Sequence, residues 1–184
     1  MDEHVGLIKY EKLSTKEKVI LYFLVYSFLG WCLETIYAYM VFGHFVKRGF
    51  LYGPICPIYG FGAILLILNL KNIKEDNNIA KFLAAMISFS IFEYLASFIL
   101  ETIFHQRWWD YTGAFLNLQG RICITFSLLW GIIGVLFINY IHPWIKKKMN
   151  KMRMHIPVNI KKLIIYLLGS GFIIDEIFSI LKYI

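Results

Sequence analysis

Five stretches of the chain stay apolar for about the length of a membrane crossing: residues 19–42, 52–70, 82–104, 122–142 and 163–181. Each is close to the roughly 20 residues that an α-helix needs to cross about 30 Å of hydrocarbon, and the fifth is the nearest to the lower limit. The pattern predicts an all-α fold, a polytopic membrane helix bundle of about five transmembrane helices. The second stretch opens GPICPIYGFGA, and Pro54, Pro57, Gly60 and Gly62 predict an irregular or kinked start. The fourth is expected to stop at Pro143. Between the third and fourth lies RWWDYTGAFLNLQG. Its indoles and polar edges predict a re-entrant or interfacial element over residues 108–120 at the outer face.

The polar remainder fixes the domain organisation. Residues 1–18 read as a cytoplasmic N-terminal segment, with a short surface helix capped by Ser14 or Thr15. Residues 19–184 read as a single transmembrane domain. Residues 71–81 leave the membrane, and residues 143–162 form a strongly basic cytoplasmic loop ahead of a fifth helix over 163–181. No internal repeat, low-complexity tract or soluble domain is evident, and no removable signal peptide precedes the first span.

Composition agrees with that class. Of 184 residues 59% are hydrophobic and 18% aromatic, with a mean hydropathy of +0.61. Soluble domains hold about 45–50% apolar residues, so the membrane class is favoured outright. The net charge of +7 sits in short runs between apolar stretches, which fits loops beside anionic lipid better than a nucleic-acid surface. Five crossings put fourteen Lys and Arg on one side and five on the other. Positive residues mark the cytoplasm, so the N-terminus is predicted inside and the C-terminus outside. Cys32, Cys56 and Cys123 lie in or beside apolar stretches and read as small buried hydrophobes.

In this orientation acids collect in the outer half. Glu34 falls roughly 12 Å below the outer end of its span and Glu93 near the bilayer centre, counting about 1.5 Å per residue. Glu101, Asp175 and Glu176 lie in the outer halves of their spans, with Arg48, Asp110 and Arg121 at the rim. A carboxylate at mid-membrane costs about 2.5–3.5 kcal/mol, so it should be paired, protonated or wetted. Arg48 and Arg121 are the natural partners, since guanidinium grips carboxylates in a two-pronged way. Three readings stand: helix-stapling ion pairs, a ligand or ion pathway, and a membrane-embedded enzyme using Glu93 or Glu101 as acid or base. His44 and His105 lack ligand spacing and read as interfacial residues, with Trp108 and Trp109 as an interface anchor. Gly131, Gly134, Gly169 and Gly171 predict close helix packing. Neither a cofactor nor a metal is called for by any motif, and no phosphate-binding loop or nucleophile elbow is present.

The segments FLGWCLET, RGFLYGPICPIYGFGA, FEYLASFILE and RWWDYTGAFLNLQGRICITFSLLWG occur in that order over residues 22–139. Together they resemble the bacterial ABC-transporter type IV (CmpB-like) membrane family. The residues falling in its motifs include Glu34, Arg48, Tyr59, Glu93, Glu101, Trp109, Asp110, Tyr111, Asn117 and Arg121. The resemblance implies a permease-type subunit of the bacterial inner membrane that binds or moves a small solute or lipid. Such a subunit needs a separate ATPase, because this chain has no nucleotide-binding motif; homo-oligomers are a further expectation, and nucleic acid is not a partner. The fifth span lies beyond the resembling motifs, which leaves Asp175 without an implied role.

The charge asymmetry makes a direct prediction. In a background lacking native cysteines, thiols introduced at Asn77 and Asn150 should resist a membrane-impermeant maleimide in intact cells, whereas one at Thr112 should react. Outside labelling of position 77 would overturn the topology.

Overall fold

The computed structural model describes residues 13–153 and 156–183. Its long helices are α1 (Thr15–Phe42), α3 (Asn78–Phe104) and α6 (Val158–Tyr183), together with a continuous helix made of α4 (Ile124–Leu136), a π-turn (Phe137–Ile141) and α5 (His142–Arg153). These give four helices long and apolar enough to cross a membrane. The second apolar stretch is shorter: α2 (Pro57–Leu70) has 14 residues, about 21 Å at the helical rise. A two-stranded hairpin, β1 (Asn117–Leu118) and β2 (Ile122–Cys123), precedes α4. The protein is an all-α membrane bundle.

Local chemistry sets the boundaries and corrects several expectations. Ser14 caps α1 itself rather than a separate surface helix. Its hydroxyl accepts from the Glu17 amide at 3.2 Å while Glu17 accepts from the Ser14 amide at 2.6 Å, a reciprocal capping box. Most of the anticipated surface helix falls on residues 1–12, outside the described residues. Pro57 at the first turn of α2 sets where helix can begin, so residues 43–56 stay irregular, as Pro54 and Pro57 foretold. Pro143 does not stop the fourth span. A proline removes one amide and crowds the carbonyl four residues back, here Asn139, and the wider π-turn over Phe137–Ile141 lies across that position. The helix therefore continues through the basic stretch to Arg153 instead of opening into a loop at residue 143. The fifth span, expected near the lower length limit, is 26 residues long.

Contacts place the helices in depth. α6 runs parallel to α1, with Tyr166 reaching Glu17 and Phe172 packed edge-on against Phe23. α4 runs antiparallel to α3, with Ser127 beside Ser90 and Asn139 beside Asn78. A core of Tyr26, Ala63, Leu66, Ala85, Phe89 and Phe137 fills the space between α1, α2, α3 and the π-turn. Outward-facing apolar side chains such as Leu33, Ile79 and Leu167 are 62–76% exposed, as expected of helices whose solvent is lipid.

Small residues let these helices touch. A side chain at Gly60 would meet Ser27 and Phe23, one at Gly131 would meet the Phe82 ring, and one at Gly134 would meet Ala85 Cβ. The expectation of close packing at Gly131 and Gly134 is met. It fails for Gly169 and Gly171, whose faces have only Ile20 at 3.8 Å and nothing within 4 Å. Gly134→Val should therefore destabilise the detergent-solubilised protein by about 1–3 kcal/mol through overpacking, read as a lower melting temperature. Gly171→Ala should melt like the parent.

Candidate functional site

Two segments leave the C-terminal ends of α1 and α3 and turn back down into the bundle. After Gly43 caps α1, the chain drops until the Cys56 amide donates to the Ser27 carbonyl at 3.0 Å. Ser27 lies fifteen residues below Phe42, so the descent is about 22 Å along α1. On the way Arg48 donates to Glu34 Oε2 through Nη2 at 3.0 Å and Nε at 3.2 Å, and the Tyr59 hydroxyl donates to Glu34 Oε1 at 2.6 Å. Glu34 is thus saturated by its own neighbours. Lower down, the Asp175 carboxylate accepts from the amides of Tyr52 at 2.9 Å and Gly53 at 2.8 Å, and from the Ser179 hydroxyl at 3.2 Å. A carboxylate from the last helix holds backbone that no helix or strand satisfies.

The second descent follows His105, which ends α3 in a left-handed conformation. Arg107 donates to Glu101 at 2.9 Å, and Arg121 Nη1 pairs with the other Glu101 oxygen at 2.5 Å while donating to Ser97 at 3.2 Å. Asp110 accepts from the hydroxyl and the amide of Thr112 at 2.5 and 2.8 Å, which hold its carboxyl below the usual carboxylate range. Gly120 turns the hairpin at φ +69° with Asp110 and Thr112 against it, and a Cβ there would strike both. Its amide donates to the Asn117 side chain at 3.0 Å. The Trp109 indole donates to the Arg121 carbonyl at 3.0 Å. From this loop the Tyr111 hydroxyl donates to Glu93 at 2.9 Å. Glu93 lies eleven residues below the end of α3, so the loop is re-entrant.

The anticipated polar residues therefore form three groups. Glu34, Arg48 and Tyr59 make one; Glu101, Arg107, Asp110 and Arg121 make another. Arg121 finds its carboxylate in Glu101, one of three candidates. Glu93 stands apart, 6% exposed, accepting from Tyr111 and from the Trp130 indole at 3.2 Å. No Lys, Arg or His among the described residues lies within ion-pairing distance of Glu93. Trp130 was not singled out from sequence, although its place inside a glycine-rich apolar helix was the available signal. Also missed were two inner contacts, Tyr26 with His142 Nδ1 at 2.7 Å and buried Lys81 with Asn139 at 2.6 Å.

A family model described as "Putative ABC-transporter type IV" matches residues 21–180. The chain belongs to that family. The match takes in α6, so the Asp175 latch lies inside the shared region rather than beyond it. Comparison with curated proteins and with solved structures gives no match. In this type IV family member the hairpin also roofs an apolar groove of about 320 Å³ walled by Met86, Ser90, Leu118, Ile122 and Ser127.

Because Arg107 remains to neutralise Glu101, Arg121→Ala should cost about 1–3 kcal/mol, the penalty for one charged hydrogen-bonding partner. A buried pair left wholly uncompensated would cost about 3–5 kcal/mol. Thermal unfolding should rank Arg121→Ala below the parent and Arg107→Ala/Arg121→Ala lower still. Equal melting of all three would mean that the arginines are solvated.

Proposed function

We propose that the chain is the membrane-spanning subunit of a transporter in a bacterial inner membrane, and that Glu93 is the group that meets its solute. One observation carries this reading: at mid-depth Glu93 has two neutral donors and no cation. Glu34 and Glu101 are matched by arginines and act as helix staples, so the helix-stapling reading is favoured for them alone. A carboxylate with neutral donors in a low-dielectric surround favours a proton or a cationic group beside it. The solute class that fits is therefore cationic or zwitterionic rather than anionic. Tyr111 belongs to the re-entrant loop and Trp130 to α4, so two elements orient the same carboxylate, and movement of either alters its donors. Energy from ATP would have to come from a separate subunit. The N-terminus and the basic helix α5 face the cytoplasm in this reading, and the re-entrant segments enter from outside.

A thermal-shift screen of the purified protein against organic cations, zwitterions and anions tests the reading. Hits should come from the first two classes, and Glu93→Gln should stay folded while losing their stabilisation. Arg121→Gln should keep it. If Glu93→Gln is stabilised by every hit as well as the parent is, Glu93 does not contact the solute.

A further inference from the structure

We infer that the membrane domain is a duplicated unit, two copies of a long helix, a re-entrant descent and a helix that starts beside the middle of the first, each clamped locally by its own glutamate. The expectation that the chain has no internal repeat is thereby revised. Leu33-Glu34-Thr35-Ile36 recurs as Leu100-Glu101-Thr102-Ile103, and at the same offset of 67 positions Leu51, Gly53, Ile55 and Cys56 recur as Leu118, Gly120, Ile122 and Cys123. The structure gives these matches the same places. α1 and α3 have 28 and 27 residues, and both end at a left-handed cap. Cys56 and Cys123 are the extended residues before α2 and α4, and neither makes a side-chain cap. Ser27, whose carbonyl receives the Cys56 amide, corresponds to Tyr94, whose hydroxyl donates to Gln119 of the second descent at 2.7 Å.

The two units keep the clamp but not the residue that completes it. Glu34 is gripped by Arg48 and Glu101 by Arg107 and Arg121, arginines at unrelated offsets. The amide of the matched glycine is likewise held in both units. Gly120 donates to Asn117 within its own hairpin, but the matching position in the first unit is Phe50, and Gly53 donates instead to Asp175 from α6. α6 stands outside the duplication and supplies the acceptor that the first unit lacks. Glu93 has no counterpart, for Tyr26 occupies its place and bonds His142. The units are thus alike in scaffold and different at the candidate binding carboxylate. This inference does not depend on what Glu93 binds.

Native thiols report on each clamp. Cys56 and Cys123 are 5% and 2% exposed, each at the foot of its descent. The intact protein with Cys32→Ala is treated with N-ethylmaleimide, and each cysteine is followed by peptide mass spectrometry. Loss of a charge-assisted clamp favours local opening, so Glu34→Gln and Asp175→Asn should each raise the labelling rate of Cys56 by about tenfold or more and leave Cys123 protected. Glu101→Gln should do the reverse. Release of both thiols together in any of the three variants, or of neither in all of them, overturns the inference.

Discussion

The fold depends on satisfying backbone that enters a membrane without helical hydrogen bonds. An open amide in hydrocarbon costs several kcal/mol, and lipid offers no replacement donor or acceptor. Both descents meet the requirement with side-chain oxygens: Asp175 for Tyr52 and Gly53, Asn117 for Gly120. Those side chains are themselves held in place, Asp175 by the Ser179 hydroxyl and Asn117 by the Ala114 carbonyl. Glu34 and Glu101 are each matched by arginines. Glu93 differs from Glu34 and Glu101 in that both of its donors are neutral.

The mid-depth starts of two helices also explain the glycines. α2 and α4 begin beside the middles of α1 and α3, where there is no loop to spread the backbones apart. Gly60 against Ser27 and Gly134 against Ala85 bring the axes close enough for α2 to pack on α1 and α4 on α3. The descending segments fill the layer on the side of the α1 C-terminus, and Tyr26, Phe89 and Phe137 fill the other. The bundle has two layers in depth, a polar clamp zone over an aromatic core.

Hydropathy made the helices legible, because lipid demands long apolar runs whatever the fold. It also reported the broken entrance at Pro54 and Pro57, and the aromatic loop at Trp108. It overstated the second crossing, since descending backbone with apolar side chains reads just like helix. Pairing was harder. Glu34, Glu93 and Glu101 look alike along the chain, and only the descent of residues 43–56 brings Arg48 to the first while Arg121 goes to the third. The duplication escaped notice because lipid-facing positions tolerate any apolar residue, so the surviving identity is confined to the clamp and the turn.

The Asp175 latch imposes an order on biosynthesis. The amide of Tyr52 and its acceptor are 123 residues apart in the chain. At about 5–20 residues per second, the first descent waits on the order of 10 s before its acceptor has been made. The second descent has Asn117 at hand as soon as it is synthesised. The later half of the bundle can therefore mature first, and the earlier half closes only when the last helix enters beside α1.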